Sequence, residues 1–235
     1  MRRVSEPVRG DELPAASEPP LESASETTPE PPEPPGGDTG SRAAPGAQRD
    51  WTEPVACRPA TVALVAVAIV PVMVWGIGPR AELAAFCYLG VVGVVLSFID
   101  IALHRLPDPL TLPSYPIGAA LLGVAVPFTD DGGTRYLHAL AGLCAMLLLY
   151  FVQWFIVPNA IGFGDVKLSG VLGLYLGWLG WPAWILGLFA AFVLGGVWAV
   201  GLLITRRADR KSAIPFGPFM LVGVLVAVVR HGPGI

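Results

Sequence analysis

From Thr61 onward the chain is a succession of apolar runs, each near the roughly 20 residues that a helix needs to cross the hydrocarbon core of a bilayer. They fall at about 61–78, 82–99, 112–128, 136–157, 165–180, 183–204 and 214–230, which predicts seven spans. Pro71 and Pro116 lie inside these runs, where neighbouring helices can restore the backbone hydrogen bonds that proline breaks. Gly173 and Gly177 form a small-xxx-small pair suited to close helix approach. Hydrophobic residues make up 54% of the 235 and charged residues only 14%, too apolar a balance for a soluble domain. The expected fold is therefore all-α, a polytopic membrane helical bundle of about seven transmembrane helices in the lipid bilayer. Its oligomeric state is left open.

Residues 1–57 differ in kind. They are rich in Pro, Glu, Ser, Ala and Gly, include Pro31-Pro32-Glu33-Pro34-Pro35, and lack apolar periodicity, which predicts a disordered cytoplasmic tail preceding a membrane domain over 58–235. Met1-Arg2-Arg3 leads into Val4-Ser5-Glu6-Pro7 with no apolar core, so a secretory signal is not expected there. The net charge of −3 conceals an uneven distribution: residues 1–58 hold eleven acids and six bases, leaving seven acids and nine bases beyond. That modest basic content offers no dense surface for neutralising phosphates, and no nucleic-acid partner is expected.

Loop charges orient the bundle. Arg206-Arg207-Ala208-Asp209-Arg210-Lys211 carries four bases against one acid between the sixth and seventh runs, and the positive-inside rule assigns it to the cytoplasm. By parity the 158–164 and 100–111 loops are also cytoplasmic, the Asp130-Asp131 loop is external, the N-terminus is inside and the C-terminus outside. The location that follows is the cytoplasmic membrane.

Acids at the ends of apolar runs are costly, and they mark chemistry or transport. Parity places Asp100, at the end of the second run, and Asp165, at the start of the fifth, on one side of the membrane. Asp108 shares that side, whereas Asp130 and Asp131 lie a membrane thickness away. Two carboxylates that approach closely share a single proton, which leaves one base to activate a water and one acid to hydrogen-bond a carbonyl. That is the division of labour in aspartic peptidases. Lys167, two residues after Asp165, either modulates the pair or extends to the headgroups as an interfacial lysine. Gly162 and Gly164 around Phe163 free the backbone for unusual dihedrals and for close approach to a peptide.

Three segments carry a family resemblance. Asp100 followed by Leu106-Pro107-Asp108-Pro109-Leu110-Thr111 resembles the first signature of type IV prepilin peptidases, intramembrane aspartic peptidases of the GxGD type. Gly162-Phe163-Gly164-Asp165-Val166-Lys167-Leu168 resembles their second signature, and Ile214-Pro215-Phe216-Gly217-Pro218-Phe219 a segment near their C-terminus. The resemblance covers roughly residues 80–230. It implies an aspartic endopeptidase, with Asp100 and Asp165 catalytic, that removes the short basic leader of type IV prepilins or pseudopilins at the cytoplasmic membrane face. Asp108 then shapes a loop between two prolines. Many family members also methylate the new N-terminus and carry a cytosolic insertion with paired C-x-x-C motifs. Only about Pro79 to Ala81 separates the first two runs here, so the chain resembles compact members, and methyltransferase activity is not expected.

Other chemistries fit less well. A proton- or cation-coupled transporter using Asp100 and Asp165 would place acids near mid-membrane in repeated broken helices. Lys167-Leu168-Ser169-Gly170 lacks the first glycine of a serine-protease G-x-S-G motif. Cys57, Cys87 and Cys144 stand singly, without disulfide or zinc spacing, and Cys87 and Cys144 fall within apolar runs as packing residues. No H-E-x-x-H motif occurs, so neither metal nor cofactor is expected. Phe163, Phe216 and Phe219 could line a substrate region without being catalytic.

Overall fold

The computed structural model describes residues 52–157, 161–205 and 215–231. Among them there are helices and turns and no strands. A short α1 (Glu53–Cys57) is followed by α2 (Pro59–Ile77), α3 (Leu83–Leu103), α4 (Asp108–Ala125), α5 (Gly132–Ile156), α6 (Phe163–Leu179), α7 (Trp181–Ile204) and α8 (Gly217–His231). The last seven coincide with the seven apolar runs. Helical structure begins earlier than expected, because Glu53–Cys57 already forms a turn of helix ahead of Pro59. The proline-rich stretch and the basic 206–211 loop lie outside the described residues.

Five of these helices, α2, α3, α4 with its following 3-10 turn, α5 and α7, are long and apolar enough to cross a membrane. Their outer faces remain apolar, with Leu64, Trp75, Phe155, Phe189, Trp198 and Ile204 all exposed. Exposed apolar surface of that extent suits contact with lipid or with another apolar partner. The other two helices are shorter: α8 has 15 residues, and α6 has 17, or about 25 Å at 1.5 Å per residue. An unbroken buried stretch from Leu168 to Trp178 covers most turns of α6, so this helix is enclosed by the others.

Small residues let the enclosing helices close on it. A Cβ on Gly173 would lie 2.5 Å from the Gly142 carbonyl oxygen of α5, so the Gly173/Gly177 pair does serve a close crossing. On the α4 side, Gly118 packs against the Tyr175 ring, and the Tyr115 hydroxyl donates to the Lys167 carbonyl. Gly180 alone links α6 to α7, and its φ of 104° lies in the region that favours glycine.

Two boundaries differ from expectation in ways that bear on function. The third run begins at Asp108 and not near 112, because Pro107 and Pro109 set an extended residue followed by a first helical turn. Asp108 therefore opens a helix instead of sitting in a loop. The second run extends to Leu103, so Asp100 lies inside the last turn of α3, with His104 in the left-handed conformation closing the helix through its N–H to the Asp100 carbonyl at 2.8 Å.

The opposite end of the bundle holds a carboxylate that was not singled out from the sequence. Glu82, 1% exposed, lies 4.0 Å from both Arg80 and Arg135 and accepts a hydrogen bond from the Thr129 hydroxyl at 3.5 Å. It joins the α2–α3 connection to the start of α5.

Candidate active site

Asp100 and Asp165 come together at one end of the bundle. Each is buried, at 4% and 8% exposure, and the Asp100 charge acts directly on the Asp165 carboxyl. The parity argument required a shared end, and the helices supply it.

Each carboxylate meets the N-terminus of a helix. Asp165 occupies the third position of α6, from which an acid reaches back toward the N–H of the N-cap residue, here Gly162. Asp100 is met from outside its own helix: the N–H of Gly217, the first residue of α8, donates to its Oδ2 at 3.0 Å. Both contacts bring partial positive charge to a buried acid. Asp100 gains the more from this, since it sits in the last turn of α3, where its own helix dipole is unfavourable.

The glycines around these acids serve space more than dihedral freedom. Gly162 is extended, at φ −69° and ψ 143°, a conformation open to any residue, so the expected unusual backbone is not found there. A Cβ on Gly164 would come 3.0 Å from the Leu106 Cβ, and one on Gly217 would come 2.9 Å from Asp100 Oδ2. Gly164 thus admits the α3–α4 connection against the start of α6, and Gly217 admits the carboxylate itself.

Lys167 and Asp108, both uncertain in role from sequence, form one ion pair at 2.7 Å. It ties the first turn of α4 to the first turn of α6, and Lys167 also lies 5.0 Å from the centre of the half-exposed Phe163 ring. Phe163 packs against Trp154, and Phe216 against Tyr150 and Phe192. Among the described residues, no three His, Cys, Asp or Glu side chains gather as a metal site.

Residues 87–200 match the model of the type IV leader peptidase family. The chain carries a type IV leader peptidase family domain. It is similar to the prepilin leader peptidase/N-methyltransferase of Aeromonas salmonicida, with 33% identity over 170 residues, which is 71% of this chain and 55% of that protein. Proteins of the same description from Pseudomonas putida and Burkholderia pseudomallei are 30% and 33% identical, over 67% and 62% of this chain and 54% and 46% of their own lengths. The chain thus spans about half the length of the curated relatives it matches. No solved structure gives a significant match.

Within this leader peptidase domain and the helix after it, the structure joins all three motifs recognised in the sequence. Asp100 and Asp108 come from the first, Asp165 and Lys167 from the second, and the Gly217 N–H from the third. The sequence had assigned no role to that last group, because a backbone donor has no signature beyond the glycine that makes room. It also passed over Tyr150, which is fully buried on α5 and lies within the field of the Asp165 charge.

Proposed function

We propose that the chain is a membrane-embedded aspartic endopeptidase that removes the basic leader of type IV prepilins or pseudopilins at the cytoplasmic membrane face. Asp100 and Asp165 are its catalytic residues. The observation that carries this reading is the meeting of two buried carboxylates, one from each of two sequence motifs within the matched family domain, each set against a helix N-terminus.

One shared proton defines the reaction. The ionised carboxylate takes a proton from a water as its oxygen attacks the scissile carbonyl, while the protonated partner hydrogen-bonds the carbonyl oxygen. Collapse of the tetrahedral intermediate then breaks the C–N bond, and a carboxyl proton passes to the departing amine. Enclosure by α3, α6 and α8 keeps bulk water from competing with these proton transfers.

The substrate's apolar helix fits an apolar groove between α2, α3 and α8, lined by Ile69, Met73, Val94, Phe98, Pro218 and Leu221. Phe98 precedes Asp100 by two residues, and Pro218 follows Gly217, so the groove leads to the dyad. A helix lying there would present the residues just before it to the two carboxylates. The basic leader would extend past the bundle end into the cytoplasm, where the 206–211 loop also lies by the positive-inside rule. Both acids stand in terminal helical turns, which favours a peptidase over a transporter with acids at mid-membrane.

Co-expression with a prepilin-like reporter, a basic leader ending in glycine fused to an apolar helix, tests the proposal. The reporter should shorten on a gel, and its new N-terminus should carry no methyl group by mass spectrometry. An uncut reporter in the presence of the membrane-inserted chain would overturn the peptidase reading, and an added methyl group would overturn the peptidase-only reading.

A further inference from the structure

The crossing of α5 and α6 has a fixed antiparallel register. Gly177 packs against His138 and Ala139, Gly173 against Gly142, and the Ser169 hydroxyl donates to the Met146 carbonyl at 3.4 Å. Each step of four residues back along α6 is therefore matched by a step of four forward along α5. One further step sets Asp165 against Tyr150.

Two unsatisfied groups stand on that pairing, not hydrogen-bonded to each other in this structure. The Tyr150 hydroxyl and Asp165 Oδ1 are both buried without a hydrogen-bond partner among the described residues. Tyr150 is 0% exposed, and the Asp165 charge acts on its phenol. Buried polar atoms almost always find a partner, and a phenylalanine would fill the same space without leaving a hydroxyl unpaired. The ring is already aimed: it stacks on Phe192 at 5.7 Å and packs on Phe216 at 6.4 Å, the residue before the Gly217 that holds Asp100.

We propose that Tyr150 is a positioning residue of the dyad, whose phenol O–H donates a hydrogen bond to Asp165 Oδ1 and so turns the other carboxylate oxygen toward Asp100 and the scissile peptide. The tyrosine keeps its proton throughout; only its hydrogen bond is used. The three contacts on Asp165 then have distinct directions: the Gly162 N–H from its own helix, the Tyr150 hydroxyl from α5, and the shared proton from Asp100. A carboxylate held on those sides has little rotational freedom left, which is what an orienting hydrogen bond contributes to general acid/base catalysis.

This inference rests on the peptidase reading for its kinetic consequence, and one of its tests does not. Purified full chain, Tyr150→Phe and Asp165→Asn are compared with the leader-plus-helix reporter and by infrared spectroscopy. Tyr150→Phe should lower kcat by at least about tenfold, the size of one hydrogen bond to a charged group, with KM and the thermal midpoint unchanged. The infrared carboxyl bands that vanish in Asp165→Asn should move in Tyr150→Phe, whether or not the reporter is cut. Bands that stay in place overturn the inference, as does a parental kcat. A loss carried by KM, or one that tracks a lowered thermal midpoint, also overturns it by making Tyr150 a packing residue. A parent enzyme that leaves the reporter uncut, with the band shift present, counts against the peptidase reading alone.

Discussion

The N–H of Gly217 donates to Asp100 Oδ2 at 3.0 Å across 117 residues of sequence. One contact thus fixes the acid on α3 by the first residue of α8, and it sets the distance at which α8 begins. A methyl group on Gly217 would stand 2.9 Å from that oxygen, closer than real Cβ atoms approach a neighbour. Gly217→Ala should therefore displace the carboxylate and slow reporter cleavage by about tenfold to a hundredfold, the scale on which small misplacements act. Fluorescence-detected size exclusion should show the variant folded and inserted as the parent.

Asp100→Asn and Asp165→Asn should each slow cleavage by roughly a hundredfold or more, since on the proposed mechanism either change removes one half of the acid/base pair. Neither should reduce membrane insertion, because asparagine keeps the volume and a hydrogen-bonding oxygen. Robust cleavage by either purified variant would sink the dyad mechanism.

Glu82 provides the matching control. It is more deeply buried than Asp100, yet it stands at the other end of the bundle, paired with two arginines that are each more than a third exposed. Glu82→Gln should leave the cleavage rate within about twofold. The cost should appear only as a lowered thermal midpoint, of modest size, because solvent already screens both arginines. A large loss of rate would mean that the far end of the bundle controls the dyad.

The contrast between Glu82 and the two aspartates marks how far the sequence could be read. All seven apolar runs became helices, because a twenty-residue apolar run has few other ways to satisfy its backbone in lipid. The shared end of Asp100 and Asp165 also followed from counting runs. What did not follow was anything set by register between helices. Lys167 and Asp108 are 59 residues apart with no sign of pairing in the sequence, and α4 opens at Asp108, a turn ahead of the apolar run from which the sequence predicts it. Tyr150 looked like any aromatic in an apolar run. Its position opposite Asp165 emerges only when the glycine contacts between α5 and α6 fix how the two helices slide. The enclosed α6 was likewise hidden, since composition does not distinguish a helix facing lipid from one surrounded by helices.

Lys167 and Asp108 lend themselves to a double-mutant cycle. The pair is close, at 2.7 Å, but Asp108 is 55% exposed, so its coupling to stability should be under about 1 kcal/mol. Its effect on rate should be shared, because the pair holds the start of α4 against the start of α6. Lys167→Met, Asp108→Asn and the double variant should all slow cleavage by the same few-fold factor, read as kcat on the reporter. Additive losses would show that the two residues act separately.

The two glycines of the Gly162-Phe163-Gly164-Asp165 segment should respond differently to substitution, although the motif treats them alike. A Cβ on Gly162 would meet Asp165 Oδ2 at 3.4 Å, an ordinary contact, and the backbone there suits any residue. One on Gly164 would meet the Leu106 Cβ at 3.0 Å, and the Leu106 backbone N lies only 3.3 Å away. Leu106 is buried and belongs to the core, so it has little room to withdraw. Gly162→Ala should keep cleavage within about threefold, whereas Gly164→Val, with two further methyl groups, should push the α3–α4 connection off α6 at a cost of about 1–3 kcal/mol for overpacking. The measurement is reporter cleavage beside a thermal melt of each purified variant. If Gly162→Ala inactivates the enzyme with an unchanged melt, Gly162 contributes to the site through more than the space it leaves, and its N–H toward Asp165 becomes the group to test next.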